Sequence, residues 1–252
     1  PVSVLVDSYE TDEDLCRYCE FHYGDEYFDV PNYAKTLAEH CTVLTADRPR
    51  VRALDIGCAV VRATFELARH FDHVTGLDFS ANSIRIGVAM QEKGHINYTR
   101  RDEGELATCI ERSLDERGLE DTRDRVEFYQ ADACNLKELY TGYDLVLAAN
   151  LIDRLYSPRR FLESIHTRIN PGGLLVITSP YTWLDEFTEK DEWIGGIRKD
   201  GEPYTTLDAL RDILSAHFQQ VGEPRDVPFV IRETARKFQH TIAQMTVWER
   251  TA

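Results

Sequence analysis

Three short segments carry residues suited to holding a nucleoside-bearing ligand. In Leu54-Asp55-Ile56-Gly57-Cys58-Ala59-Val60-Val61-Arg62 a strand-like run gives way to a tight turn and a helix start. Gly57 lets backbone approach a ligand closely, and the following helix start adds positive potential. Only Gly57 supplies a glycine of a G-x-G-x-G pattern; Ala59 and Val61 stand where small residues are expected. The second segment is Gly76-Leu77-Asp78-Phe79-Ser80. Asp78 lies about 20 positions beyond Gly57, the offset at which an acid accepts hydrogen bonds from ribose hydroxyls. Its other reading is a residue that helps start the next helix. The third segment is Gln130-Ala131-Asp132-Ala133-Cys134-Asn135, where Asp132 can receive the amino group of an adenine. The first two signals together favour an adenosine-containing ligand. Cys58 and Cys134 adjoin these motifs and are expected to pack as small hydrophobes.

These segments need a scaffold that brings them together. A strand–helix alternation begins at Val51. Strands are predicted over Val51–Ile56, His73–Asp78, Arg125–Gln130, Tyr143–Ala149 and Leu174–Ser179. Helices are predicted over Arg62–His70, Asn82–Gln91, Leu136–Tyr140, Pro158–Ile169 and Leu207–Phe218, and closing strands over Gln220–Ile231 and Thr241–Glu249. Apolar strands alternating with helices imply an α/β architecture with a mostly parallel sheet covered on both faces. Ligands then bind beyond the carboxyl ends of the strands, where each motif above is found. The short link between the last two strands suggests an antiparallel final strand. Residues 1–50 read as an N-terminal helical cap and 51–252 as the core. A charge-rich insertion at 97–124, with a helical stretch around Leu106–Leu119, interrupts the alternation.

The sequence has 252 residues, enough for a full-sized core, and a formal charge of −15. Such acidity repels phosphate backbones, and no basic run offsets it, so neither nucleic acid nor an anionic membrane is an expected partner. A small zwitterionic or cationic ligand suits the charge. No apolar run approaches the ~20 residues of a membrane span. The opening PVSVLVDSYE lacks the features of a secretory signal. Six scattered cysteines fit a reducing cytoplasm. Cys16-Arg17-Tyr18-Cys19, with His22 and His40-Cys41, is a single CxxC within a predicted helix, and no metal is expected there.

The motif set resembles the class I S-adenosylmethionine-dependent methyltransferases, which implies a Rossmann-like, mostly parallel seven-stranded sheet with an antiparallel last strand and helices on both faces. The resemblance places Asp55 and Gly57 against the methionine part of the cofactor, Asp78 on its ribose and Asp132 beside its adenine. Cys58, Ala59, Phe79, Ser80, Ala133 and Cys134 flank those positions, and Asn150 follows the strand facing the reacting methyl. More narrowly, FHYG at 21–24, LDIGCAVVRATFELARHFDHVTGLDFS at 54–80, DEGEL at 102–106, QADACNL at 130–136, YDLVLAANLIDRL at 143–155, PGGLLVITSPYTWL at 171–184 and VPFVIRETARKFQHTIAQMTVW at 227–248 look like the methyltransferase module of ovothiol biosynthesis. That resemblance implies methylation of the π imidazole nitrogen of 5-thiohistidine, with possible association with a sulfoxide synthase, behind which such modules are found fused as well as standing as separate chains. The family pattern usually has glycine where this sequence has Val61, and valine disfavours positive φ. A fold-sharing binding protein with weakened cofactor affinity is therefore an alternative, as is a methyltransferase of another small imidazole or thiol acceptor. A nicotinamide-dependent oxidoreductase is disfavoured by the missing pyrophosphate-approach glycines.

Methyl transfer from a sulfonium needs the nucleophile near ~3 Å from the methyl, and positioning supplies most of the acceleration. Ring nitrogen competes with a softer ring thiolate, so selectivity must be geometric. Tyr181, Trp183 and Arg154 are candidate donors to hold the thiolate aside. Asp153 is a candidate for the substrate ammonium or a ring N–H, or else a helix cap ahead of Pro158. Arg232 or Arg236, in the link between the last two strands, could clamp a carboxylate or lie in an exposed charged loop. Tyr18, His22, Tyr23, Tyr27 and Tyr33 are candidates to line the pocket from the N-terminal helices.

Overall fold

The computed structural model describes residues 12–251; the reading of the opening PVSVLVDSYE lies outside them. In chain order the helices are α1 Asp12–Tyr23, α2 Tyr33–Leu44, α3 Arg62–Leu67, α4 Ala81–Lys93, α5 Pro158–Ser164 and α6 Thr206–Leu214. The strands are β1 Arg52–Ile56, β2 His73–Asp78, β3 His95–Glu103, β4 Leu106–Ser113, β5 Val126–Gln130, β6 Tyr143–Ala149, β7 Ile169–Ser179, β8 Ile197–Lys199, β9 Glu202–Tyr204, β10 Phe218–Gln220, β11 Arg225–Arg232 and β12 Phe238–Arg250.

The main sheet has eight strands in the order β10-β12-β7-β6-β1-β2-β5, with β11 also paired to β12. β5, β2, β1, β6 and β7 run parallel. β12 runs antiparallel to β7, and β10 and β11 both pair antiparallel with β12. This is the mostly parallel Rossmann-like sheet expected, with one strand more than seven because Phe218–Gln220 forms a short edge. Two apolar clusters fill the two faces: Leu37, Phe65, Val74, Leu145 and Val176 belong to one, and Leu54, Leu77, Val146, Phe161 and Trp248 to the other. Alternate residues of a strand point to opposite faces, so one buried strand feeds both clusters.

The helices start where the sequence supplies oxygen acceptors. Asn32 accepts from the Lys35 amide at the head of α2 and Ser80 from the Ser83 amide at the head of α4. Thr205 and Asp208 form a reciprocal capping box on α6. β7 begins at Ile169, five residues before the predicted start at Leu174. Asn170–Gly173 falls inside it as an irregularity in its pairing with β6.

Two predicted helices are absent. Within 97–124, the stretch around Leu106–Leu119 is not helical but contains β4, hydrogen-bonded to β3 as an antiparallel hairpin. Gly104 makes the turn at φ +57, and Ile96 and Tyr98 of β3 bury alternate side chains against the core. Leu136–Tyr140 is not helical either; the single 3-10 turn there is Ala133–Asn135. The hairpin packs on α1 and on the β11–β12 end of the sheet. Tyr98 donates to Glu20 at 2.6 Å, Arg101 to Glu13 at 2.5 Å, and Arg232 to Asp102 at 2.8 Å.

Candidate active site

The carboxyl ends of β1, β2, β5, β6 and β7 open into one cavity of about 1090 Å³. Asp55, Gly57, Cys58, Ala59, Asp78, Phe79, Ser80, Asp132, Ala133, Asn150, Asp153 and Arg154 all line it, with His22, Tyr18 and Tyr33 from the N-terminal helices. Twelve positions from four separate motifs and three side chains from the N-terminal helices need not have met; the switch from strand to helix at the same sheet end brings them together.

The turn after β1 is cross-tied to the end of β2. The Gly57 and Cys58 amides both donate to the Leu77 carbonyl, at 2.7 and 3.1 Å. The Ala59 amide donates to Asp78 Oδ2 and the Ser80 amide to Asp78 Oδ1, each at 2.8 Å. Asp78 is thereby fixed on the cavity lining. Gly57 has φ +74, and a methyl built on it would lie 2.9 Å from the Leu151 side chain. The position needs glycine for both reasons. Val61 has φ +67, in the left-handed region that valine resists. Its side chain is fully buried, touches Gly87 and is not among the cavity's lining groups. The bulk that replaces the usual glycine is therefore taken up by α4 and leaves the cavity open.

Asp55 is buried, and its carboxyl is pushed up to about 7 by burial, against a 2.7 Å hydrogen bond from the Thr64 hydroxyl. Asp132 caps the turn after β5: Oδ1 accepts from the Cys134 amide and Oδ2 from the Tyr156 hydroxyl, each at 2.8 Å. Asn150 sits at φ +49, with its Oδ1 2.9 Å from the Tyr33 hydroxyl, which is also 2.7 Å from the Thr178 hydroxyl. Asp153 is buried, and burial raises its pKa while Arg154 opposes that. Its Oδ2 accepts from the Thr182 amide and from Arg154, both at 3.0 Å, and its Oδ1 has no hydrogen-bond partner. Arg154 Nη1 also donates to the Thr182 carbonyl, and its guanidinium lies over the Phe187 ring.

Seven expected residues lie off the cavity lining, among them Tyr23, whose hydroxyl donates to the Val60 carbonyl at 2.9 Å, and Tyr27, which donates to Glu20 at 2.6 Å. Cys134 is buried behind it, donating to the Ser157 carbonyl. The Tyr181 hydroxyl turns to Gln244, at 2.9 Å. Trp183 is a core residue stacked on Trp193, its indole N–H donating to Thr206. Arg232 is buried and spent on the hairpin, donating to the Arg101 carbonyl and Asp102. Arg236 is exposed on the β11–β12 turn. Neither arginine is placed to clamp a ligand in the cavity. Sequence reasoning also missed Phe21, Phe229 and Ile231 on the wall. Phe21, Tyr33 and Phe229 form an aromatic cluster with centroids 4.8 to 6.0 Å apart. The alternation in Val227-Pro228-Phe229 was the available signal. The acids Asp185, Glu186, Glu189 and Glu192 on the rim were missed as well.

The methyltransferase-domain family profile matches residues 30–217. The chain belongs to that methyltransferase family. A search of curated proteins finds no match. Among solved structures, the methyltransferase is similar to the N-methyltransferase NodS of Bradyrhizobium japonicum in complex with S-adenosylhomocysteine, at 14% identity and TM-score 0.56, covering 96% of this chain and 100% of NodS. It is similar to the [4+2]-cyclase SpnF at 16% identity and TM-score 0.61, covering 100% of this chain and 97% of that one. A methyltransferase of Methanosarcina mazei matches at 15% identity and TM-score 0.53, covering 83% of this chain and 97% of its own. These likenesses show the fold, and a cyclase among them shows that the fold does not by itself fix the reaction.

S-adenosylmethionine is the methyltransferase cofactor, and the residues present fit it. Gly57 leaves a cradle that a Cβ would fill, Asp78 offers ribose acceptors and Asp132 a carboxylate at the far end. The lining carboxylates outnumber the cations, which suits a ligand bearing a sulfonium and an ammonium. Among the described residues no helix is long and apolar enough to cross a membrane, and no group of three His, Cys, Asp or Glu is placed to hold a metal ion.

Proposed function

We propose that this methyltransferase transfers the methyl of S-adenosylmethionine to a ring nitrogen of a small imidazole acceptor, namely the π nitrogen of 5-thiohistidine, the final step of ovothiol formation. The observation that carries methyl transfer is the convergence of Gly57, Asp78, Asp132 and Asn150 on one cavity. The acceptor rests on the block-by-block sequence resemblance, and the aromatic wall beside Asn150 supports a planar heterocycle.

When bound, the cofactor supplies a methyl on a sulfonium that leaves readily, so a ring lone pair suffices as nucleophile. The chain's own work is positioning and exclusion of water. Tyr33 and Thr178 hold the Asn150 side chain at the end of β6. Phe21, Tyr33 and Phe229 present apolar faces against which a ring can pack. Asp153, on the cavity lining, is the carboxylate that would meet an ammonium or ring N–H. Arg154 is the lining guanidinium, with Nη1 engaged and Nε and Nη2 left to meet a carboxylate or thiolate. It takes the part expected of Arg232 and Arg236. The free cysteines suit a reducing setting such as the cytoplasm, and a sulfoxide synthase is the partner that would deliver the substrate.

The test is incubation with S-adenosylmethionine and 5-thiohistidine, followed by mass spectrometry and NMR. The expected product carries one new methyl on the π nitrogen, with S-adenosylhomocysteine released in equal amount. A methyl on sulfur, or turnover with histidine but not 5-thiohistidine, would redirect the acceptor assignment. No product with any imidazole would refute the proposal.

A further inference from the structure

His22, on the last turn of α1, holds a defined tautomer. Its Nδ1 accepts the backbone N–H of Arg62, the first residue of α3, at 3.3 Å. Val61, which precedes that helix, makes no side-chain cap, so His22 caps α3 from another element. An Nδ1 that accepts leaves the neutral ring's proton on Nε2. Burial and the nearby Arg62 guanidinium push the pKa down to about 3. Above that the ring is a neutral N–H donor, and it lines the cavity beside the turn after β1. Among the described residues no group accepts from Nε2.

That donor matters because the turn has few amides left to offer a ligand. The backbone amides of the turn are mostly consumed internally: Gly57 and Cys58 on Leu77, Ala59 on Asp78, Val61 on Cys58, and Arg62 on His22 itself. In many nucleotide sites such amides receive the ligand's anionic group. Here they are occupied. The ionic side chains lining this end are the carboxylates Asp55 and Asp78. Arg62 is buried in an ion pair with Glu66, behind the lining. A ligand carboxylate placed here therefore needs a side-chain donor from outside the turn.

We propose that His22 Nε2–H binds the α-carboxylate of the cofactor's amino-acid end, while Asp55 faces its ammonium. This rests on the S-adenosylmethionine reading of the cavity and adds to it a residue that discriminates amino-acid-bearing ligands from truncated ones. A hydrogen bond to a charged group is worth about 1.5–3 kcal/mol, or roughly ten- to hundred-fold in affinity.

The test is calorimetric titration of wild type, His22→Phe and His22→Gln with two probes. S-adenosylhomocysteine carries the amino-acid end, and 5′-methylthioadenosine lacks it. In His22→Phe, S-adenosylhomocysteine should bind ten- to hundred-fold more weakly, with methylthioadenosine within about twofold of wild type. His22→Gln, which restores a donor, should recover part of the loss. Equal weakening of both probes by His22→Phe, or of neither, would overturn the proposal. If wild type binds neither probe, the cofactor reading fails instead, and the two failures are told apart by that titration.

Discussion

The side chain of Val61 occupies space that Gly87 leaves empty. A methyl built on Gly87 would lie 2.9 Å from Val61 Cγ1 and 3.3 Å from the Phe128 ring. A β-branched residue in the left-handed region thus persists because α4, beyond α3 and β2 in the chain, lacks a side chain at the facing position. Gly87→Ala should destabilise the protein by about 1–3 kcal/mol, despite the better helix propensity of alanine. In a Val61→Gly background the same change should be neutral or stabilising. Urea denaturation of the four proteins measures the coupling. Additive effects would show that the contact is slack. Val61→Gly should also leave S-adenosylhomocysteine affinity within about threefold, because the valine faces away from the cavity.

Asp55 makes stability depend on pH. In the unfolded chain it ionises near 3.8, and in the native state only near 7. Between those values the unfolded state gives up a proton that the native state retains, so the contribution of this group to stability falls as pH rises from about 4 to about 7 and is then level. Asp55→Asn keeps an acceptor for Thr64 without the buried charge. Its melting temperature relative to wild type should be higher at pH 8 than at pH 4.5. An offset that does not change with pH would argue against a raised Asp55 pKa.

Arg232 holds the β3–β4 hairpin and does not serve the cavity. Arg232→Leu should lower stability by about 1–3 kcal/mol by stranding Asp102 and the Arg101 carbonyl. Hydrogen exchange should quicken in 95–113, while S-adenosylhomocysteine affinity stays within about twofold. A large loss of ligand affinity without faster exchange would return Arg232 to the binding site.

Tyr33 and Asp153 should separate positioning from acceptor binding. Tyr33→Phe removes the hydroxyl between Asn150 and Thr178 and should lower kcat about tenfold with little change in acceptor KM. Asp153→Asn should raise acceptor KM about tenfold or more and spare S-adenosylhomocysteine affinity. Steady-state kinetics with 5-thiohistidine checks both, and an exchange of the two patterns would reverse the assignments.

The parallel sheet was legible because β1, β6 and most of β7 are short apolar runs followed at once by Gly57, Asn150 and Pro180, and β2 ends in Asp78. The hairpin was not. β4 is largely exposed, so Leu106–Ser113 shows no two-residue alternation, and its charges read equally well as a helical surface. Trp183 and Arg232 had the right chemistry for a site and lie near it in sequence. Their partners, Thr206 and Asp102, are distant in the chain, and a single sequence does not reveal such pairings. Phe229 was missed for the related reason that its neighbours Tyr33 and Phe21 come from the opposite end of the chain.

The wall beside Asn150 is built from Tyr33 of α2, tied to Thr178 of β7 behind it, and Phe229 of β11. During translation the first must wait for the other two to emerge from the ribosome. Any acceptor-binding surface there is consequently assembled late, and a nascent chain halted before β11 offers the parallel strands without the enclosure that shields a reacting methyl from hydrolysis.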